Sequence, residues 1–348
     1  MTASGVVPQL PTSRNLVRIS LDLGAEAARR LRGASIYVAM ISLGLVGPLV
    51  VALIVFMSSH PDYFLFDAFA DPYSDPSSFP AYDPEAAIAG LWISLGLLVA
   101  AVGLVAMAVE SQAMAAAILA GVALGRPVST LEALRRSRQA FWRLVGYALL
   151  TEIPISIVTQ VLATVLFALV GEAYETVSLV TTAFAALLGL PFVYGVASIV
   201  LGDVGVVEAA RRSIMLTRAR WRLAIVISLV TTVAWYIATF AYLGAIGIVT
   251  TLGTPLGIGI DNGPLALLAL IGLALALAAA FGSLLLTVTA IVVAPQVVAF
   301  LGLTHFSGGI DRARDETVLR PAVRYLTLPM AIAIVVAVLC SIGAIASS

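Results

Sequence analysis

Long apolar segments, separated by short polar stretches, dominate the pattern of this chain. Seven of these segments reach the length of about 20 residues that a helix needs to cross the hydrocarbon core of a bilayer. They are Ile36–Met57, Ala86–Gly125, Leu144–Val170, Val177–Leu201, Leu223–Leu252, Leu265–Leu303 and Tyr325–Ala346. The pattern predicts an all-α fold, a polytopic transmembrane bundle of about seven spans.

Two of the apolar segments are much longer than one crossing requires. Ala86–Gly125 has 40 residues and Leu265–Leu303 has 39. Folding each into a hairpin would move ten arginines to the outer side of the membrane, against the excess of basic residues that cytoplasmic connections keep. We therefore expect two single helices of roughly 60 Å each, with Pro295 as a natural kink point in the second.

The charged residues divide between two kinds of connection. All 19 basic residues are arginine, and they fall in four stretches: Arg14–Arg32, Arg126–Arg143, Arg211–Arg222 and Arg312–Arg324. The other connections, including an acidic loop at 58–85, carry acids and no arginine. The positive-inside rule predicts a cytoplasmic N-terminus and an extracytoplasmic C-terminus and acidic loop. Because an absence of lysine is typical of high-GC bacterial genomes, the predicted location is the bacterial cytoplasmic (inner) membrane.

The four basic stretches predict amphipathic cytoplasmic helices, which we call the arms: residues 14–32, 126–143, 204–222 and 304–324. The sequence Glu26–Arg30 recurs as Glu132–Arg136 and Glu208–Arg212, with a degenerate copy at Glu316–Arg320. Glu and Arg four residues apart stabilise a helix in this orientation. The pattern predicts one repeat-built membrane domain over 1–348, in which an arm and a helical hairpin alternate.

The second arm shows the expected amphipathicity. Ser129 and Glu132 form a capping box at its start. Leu131, Leu134, Phe141 and Val145 fall on one side of the helix, and Glu132, Arg136, Gln139 and Arg143 on the other. Such a helix is expected to lie flat at the inner interface with its apolar side in lipid.

Two roles are open for the arms. They are either elbows that fix helix tilt, or binding elements for the anionic lipids of the inner leaflet or for another membrane or cytosolic subunit. The candidate contacts for headgroups or partners are Arg29, Arg30, Arg135, Arg136, Arg211 and Arg212.

Two carboxylates within apolar segments are candidate functional residues. A carboxylate in the hydrocarbon region is costly, so it normally faces the bundle interior and is often functional. Glu152 is the better candidate, because Pro154 removes a backbone donor nearby. The alternative for Glu152 is a packing role. Glu110 is expected near the inner headgroups, where an arginine of an arm can pair with it.

Other chemistry is not indicated. His60 and His305 are predicted on opposite sides of the membrane, Cys340 is the one cysteine, and the acidic loop lacks the EF-hand spacing. We therefore expect no metal and no cofactor. Without lysine there is no phosphate-binding Gly-x-x-x-x-Gly-Lys loop and so no motor, and the scattered arginines do not predict a nucleic-acid partner.

Three short motifs carry a resemblance to a known family. They are Ser20–Gly24, ahead of the repeat Glu26–Arg30, and the arm cores Ala133–Ser137 and Ala209–Ser213, both followed by Trp-Arg-Leu. On these, the chain resembles the membrane domain of bacterial glycerophosphoryl diester phosphodiesterases and its stand-alone multi-helix relatives. The resemblance implies an all-helical inner-membrane bundle. It does not imply the phosphodiesterase activity, because this sequence holds no soluble catalytic segment.

The predicted function is transport or membrane organisation and assembly, exerted with partners and without a motor of its own. The alternative is a lipid-processing or lipid-binding membrane enzyme with a site at the inner interface, using arm arginines for phosphate and Glu110 or Asp203 as a base. A third possibility is a bundle that only anchors other proteins, so whether the chain is an enzyme stays open. A cavity reaching Glu152 would favour transport, whereas a groove open to lipid beside the arms would favour lipid handling.

Overall fold

The computed structural model describes residues 11–59, 84–170, 174–253, 263–305 and 323–347, and these are helical with no strand among them. The elements in chain order are α1 (Leu16–Ser59), α2 (Pro84–Ala123), α3 (Thr130–Val170), α4 (Tyr174–Gly189), a 3-10 turn (Leu190–Phe192), α5 (Gly195–Gly202), α6 (Val206–Ala219), α7 (Trp221–Gly253), α8 (Pro264–His305) and α9 (Val323–Ala346). The predicted all-α fold is confirmed.

Six helical segments of the described part are long and apolar enough to cross a membrane. They are Leu16–Ser59, Pro84–Ala123, Thr130–Leu169, Thr176–Gly202, Trp221–Ile248 and Pro264–Thr304, and each contains or overlaps one predicted span. The seventh predicted span lies in α9, of which Met330–Ala346 forms a shorter apolar helix. The chain is a multi-pass membrane protein.

The two longest apolar segments are single helices, as predicted. Helix α2 has 40 residues, and α8 has 42 and continues through Pro295. Helix α2 ends in a Schellman motif, in which Gly125 adopts φ +68°. The Arg126 N–H donates to the Gly121 carbonyl at 2.8 Å, and the Gly125 N–H donates to the Val122 carbonyl at 3.0 Å.

The arms differ from one another. The first two are continuous with the span that follows, in α1 and α3, and do not form helices of their own. The third is a separate helix, α6, which ends at Ala219 and is separated from α7 by one residue, Arg220. The fourth arm lies largely outside the described residues, as does most of the acidic loop 58–85.

The local interactions predicted for the second arm are present. The Glu132 N–H donates to Ser129 Oγ at 3.2 Å, which caps α3, and Arg136 pairs with Glu132 at 3.0 Å. In the third arm Glu208 instead lies 3.8 Å from Arg211.

The apolar side of the second arm is covered by protein, which corrects the expectation that it faces lipid. Leu134 and Phe141 are buried, and so are Ala133, Ser137 and Ala140 beside them. Leu131 alone of the predicted apolar side is strongly exposed. The buried side of this arm therefore contributes to packing within the chain.

The chain divides into two compact units. Unit 1 comprises Met1–Ser35, Ala108–Thr239 and Leu285–Val323, and unit 2 comprises Ile36–Met107, Phe240–Leu284 and Arg324–Ser348. In unit 1, helix α3 packs against α4, α5 and α6, and α5 packs against α6. A Cβ on Gly33 would lie 3.0 Å from Thr130 Oγ1, so α1 touches the start of α3.

Within unit 2, α1 and α8 approach closely. Ser42 Oγ donates to the Ala278 carbonyl at 2.8 Å, and a Cβ on Gly282 would lie 2.7 Å from the Val38 carbonyl oxygen. Small residues permit such close backbone approach between membrane helices.

Candidate functional site

The fourth predicted span is interrupted, which the sequence pattern did not predict. Helix α4 ends at Gly189, a 3-10 turn covers Leu190–Phe192, and α5 begins at Gly195. Pro191 has no N–H to donate and disfavours helical backbone at the residue before it. In an otherwise apolar segment, this proline is the one local signal of the break.

Side chains from two neighbouring helices satisfy the backbone groups that the break releases. Tyr147 Oη of α3 donates to the Phe192 carbonyl at 2.7 Å, and Thr217 Oγ1 of α6 donates to the Leu190 carbonyl at 3.2 Å. Ser213 Oγ accepts from the Tyr194 N–H at 3.0 Å and donates to the Pro191 carbonyl at 2.7 Å. Irregular backbone at membrane depth is tolerated where protein covers it in this way.

The contact between Tyr147 and Gly195 fixes the break against α3. A Cβ placed on Gly195 would overlap the Tyr147 ring. Glycine at the first residue of α5 therefore lets the phenol reach the Phe192 carbonyl. The arrangement connects α3 and α6 to the interrupted span.

Both carboxylates that the sequence suggested as bases are paired with arginines of the second arm. Arg138 Nε lies 3.3 Å from Glu110 Oε1, and Glu110 is buried. Arg143 Nη1 lies 2.6 Å from Asp203 Oδ1, and it also donates to the Val204 carbonyl at 3.4 Å. An arm arginine therefore does pair with Glu110, and both carboxylates serve as anchors for α3.

Buried polar atoms without a hydrogen-bond partner remain within the described residues of unit 1. They include Ser111 Oγ, Tyr194 Oη, Ser198 Oγ and Gln296 Oε1. Buried polar groups in native proteins nearly always have a partner, whether protein or ordered water. These atoms mark places in unit 1 where water or a polar ligand would be stabilised.

A cavity of about 450 Å³ lies within unit 1 beside the first arm. One wall is the face of α1 from Val17 to Ser35, and the facing wall is α8 from Leu286 to Pro295, with Val230 of α7. Its lining includes the exposed Leu21 and Ile291, so the cavity is open on one side. It fits the usual size of ligand pockets, about 300–1,000 Å³.

Small residues on both walls create this cavity. Gly24, Ala25 and Ala28 line it from α1, and Ala290 and Ala294 from α8. A Cβ placed on Gly24 would meet nothing within 4 Å. The spacing of Gly24 and Ala28, four residues apart, was the signal in the sequence, since it places two small residues on one helix face.

Arg32 is the charged residue in the cavity lining, and sequence reasoning missed it. Its side chain is exposed, and no carboxylate of the described residues forms an ion pair with it. Ser20, Ser35 and Thr287 are the other polar residues of the lining, and Ser20 Oγ donates to the Leu16 carbonyl at 2.7 Å. The lining is thus apolar with one cation at its edge.

None of the six arginines proposed from the sequence lines the cavity. Arg29 and Arg135 are exposed, and Arg30 is partly buried. Arg136 and Arg211 pair with glutamates of their own helices. Arg212 packs on the end of α5, where a Cβ on Gly202 would lie 2.7 Å from its Nη1.

Glu152 does not face the interior of this chain, which corrects the sequence-based expectation. Its side chain is exposed on α3, and none of the residues 152–169 of that helix is buried. The cavity beside the first arm does not include Glu152. The described chain therefore gives this carboxylate no internal pathway.

Among the described residues, no group of three or more His, Cys, Asp or Glu side chains is placed to hold a metal ion. His60 and the acidic residues of 60–83 lie outside those residues, as does the side chain of His305.

Comparison with known proteins gives no assignment. No family model matches the chain, no curated protein matches it, and no solved structure matches it. The cavity, the interrupted span and the ion pairs described above are the features that bear on function.

Proposed function

We propose that this multi-pass protein binds an anionic phospholipid at the cytoplasmic face of a bacterial inner membrane, as part of membrane organisation carried out with other subunits. The observation that carries this proposal is the half-open apolar cavity beside the first arm, with Arg32 at its edge. The resemblance to the membrane domain of glycerophosphoryl diester phosphodiesterases remains part of the proposal. It concerns the helical architecture and not the enzymatic activity.

The chemistry of the cavity suits a lipid. Its walls are aliphatic side chains and alanines, which favour an acyl chain over a polar solute. A guanidinium forms strong, bidentate hydrogen bonds with phosphate, and Arg32 has no carboxylate partner in the described part of the chain. Ser35, one helical turn from Arg32, is a further hydrogen-bond donor for a headgroup.

The position along the chain is consistent with the inner leaflet. The cavity wall of α1 lies largely in the arginine-rich stretch Arg14–Arg32, immediately before the predicted span Ile36–Met57. Basic segments at this depth are attracted to the anionic lipids of the cytoplasmic leaflet.

Lipid binding fits better than lipid processing. A hydrolytic site needs a base within hydrogen-bond reach of the reacting group. Glu110 and Asp203 are held by arginines of the second arm, and neither lines the cavity. The cavity therefore supports a binding role.

The test adds a side chain at Gly24, which lines the cavity and where an added Cβ would meet nothing within 4 Å. Gly24→Leu places a branched side chain into open space and leaves the charges unchanged. We expect the purified variant to fold but to retain less phosphatidylglycerol than the parent, by native mass spectrometry. Gly90→Leu is the matched control, because Gly90 is also helical with open space at its Cβ and lies outside the cavity.

A charge variant tests the headgroup contact. Arg32→Gln should weaken retention of phosphatidylglycerol about tenfold, since hydrogen bonds to charged groups contribute about 1.5–3 kcal/mol. Arg29→Gln, three residues earlier and outside the lining, removes the same charge as a control. Equal lipid retention by Gly24→Leu and the parent, or equal effects of the two arginine variants, would contradict the proposal.

A second candidate function is transport, which the interrupted fourth span favours. Discontinuous helices form the binding sites of many secondary transporters. The buried partnerless atoms Tyr194 Oη and Ser198 Oγ lie in or next to α5. Phe192→Cys in a Cys340→Ala background should react with a membrane-impermeant thiol reagent if a water pathway reaches the break. Failure to react would remove this candidate's support and leave the lipid proposal untouched.

A further inference from the structure

Helix α3 carries a line of polar residues on its exposed surface. Glu152, Ser156, Gln160 and Thr164 follow one another at intervals of four, and all four are exposed. Residues four apart lie on the same side of a helix, so the line extends for about 18 Å along the axis. We call this set the polar stripe.

The polar stripe lies in the middle of a membrane span. It occupies the central part of the predicted span Leu144–Val170, and none of the residues 152–169 of α3 is buried. Polar and ionisable side chains at this depth face protein or water, because facing lipid tails is costly. A carboxylate and a carboxamide on an outward surface therefore indicate that another helix covers them.

Hydrogen bonds within the described part of the chain satisfy only part of the polar stripe. Thr164 Oγ1 donates to the Gln160 carbonyl at 3.0 Å, within its own helix. In the described part of the chain, the side chains of Ser156 and Gln160 form no hydrogen bond. The carboxamide of Gln160 has two donors and one acceptor oxygen free for a partner.

The side chains of the polar stripe are complementary to one another. Gln160, Ser156 and Thr164 each carry both a donor and an acceptor, and the Ser156 hydroxyl is a donor for a Glu152 carboxylate. In a two-fold symmetric pair, the same surface meets itself, so two Gln160 carboxamides can form reciprocal hydrogen bonds. Such a partner needs no basic residue. Only one of the four polar-stripe side chains is a carboxylate, so the stripe does not indicate a positively charged partner.

We propose that the occupant of the polar stripe is the same stripe on a second copy of this chain. Exposed apolar residues flank it on α3 and supply the packing that membrane helices need, namely Ile153, Ile157 and Val161. All of these residues lie on one helix of unit 1, so the interface is a single α3–α3 contact. This proposal does not rest on lipid binding at Arg32.

Disulfide cross-linking of the full chain tests the contact. In a Cys340→Ala background, Ser156→Cys and Gln160→Cys should form covalent dimers when the purified protein is reconstituted alone and oxidised. Val158→Cys is the control, since Val158 is exposed, lies between them in depth and points to the opposite side of the helix. Equal cross-linking at Val158, or none at Ser156 and Gln160, would overturn the proposal.

A second measurement does not depend on cysteines. Gln160→Leu should weaken dimerisation in vesicles about three- to thirtyfold, which is the range that interhelical hydrogen bonds contribute in membranes. Val158→Leu should leave it within about twofold. Energy transfer between labelled copies at increasing dilution in lipid gives the dissociation constant. A parent protein that is monomeric at all dilutions would also overturn the proposal.

Discussion

Arg138 of the second arm donates from Nε to Glu110 Oε1 at 3.3 Å, and only 17% and 3% of the two side chains are exposed. This ion pair joins the N-terminal part of α3 to the C-terminal half of α2 and is shielded from water. The exposed pair of Arg136 and Glu132 lies only one turn away on the same arm. The two pairs allow a direct comparison of buried and exposed charges in one helix.

Removing one partner of the buried pair should destabilise the protein. Glu110→Gln leaves the Arg138 guanidinium buried without its counter-ion, which costs about 3–5 kcal/mol in other proteins. We expect a large drop in the thermal unfolding midpoint in detergent. Glu132→Gln is the matched control and should change stability by less than about 1 kcal/mol. Equal midpoints for the two variants would show that the buried pair is not important for stability.

The double variant separates charge burial from packing. Glu110→Gln with Arg138→Gln removes both charges and should recover a substantial part of the stability lost in Glu110→Gln. If the two losses instead add, the side chains contribute independently of each other.

The contact between Gly195 and Tyr147 predicts an unusually costly glycine substitution. Gly195→Ala forces a methyl group into the Tyr147 ring, and overpacking of this kind costs about 1–3 kcal/mol or more. Gly189→Ala should be neutral or stabilising, because nothing lies within 4 Å of its Cβ position. Unfolding monitored by tryptophan fluorescence compares the two. A neutral Gly195→Ala would mean that α3 and α5 are not in contact at this point.

Ser213 supports the interrupted span through two hydrogen bonds. Ser213→Ala leaves the Tyr194 N–H and the Pro191 carbonyl without this partner, at about 1–3 kcal/mol for a buried unsatisfied group. Ser137→Ala is the control, since Ser137 is equally buried but donates within its own helix, to the Leu134 carbonyl. Protease susceptibility near residue 190 should increase in the first variant and not in the second.

The distribution of arginine predicts the topology of the membrane protein. A reporter fused after Ser348 should behave as extracytoplasmic, and one inserted after Arg126 as cytoplasmic. A cytoplasmic result at Ser348 would mean that one of the seven predicted segments does not cross.

Helix positions were predictable because apolar length and basic flanks determine them almost alone. The single helices α2 and α8 follow from this reasoning, as does the Ser129 cap of α3. The break at Leu190–Phe192 was missed, because Pro191 stands within an apolar segment that reads as continuous. Its stability depends on Tyr147 and Ser213, which are distant in sequence.

The packing of individual side chains was less predictable. That Glu110 pairs with an arm arginine follows from depth and charge, but the choice of Arg138 depends on how α2 and α3 pack. Glu152 was expected inside because a single sequence cannot show which side of α3 its neighbours cover. The cavity beside Gly24 likewise requires both of its walls to be known.

The division into two units has a consequence for biogenesis. Each unit is assembled from three separate stretches of chain, and unit 2 takes its third from Arg324–Ser348, which includes most of α9. Neither unit has all of its residues until the ribosome has passed residue 284. Unit 2 is complete only after α9 has been synthesised. Helices α1 and α2 therefore enter the bilayer long before their final neighbours exist, so lipid or the insertion machinery must cover their contact surfaces during synthesis.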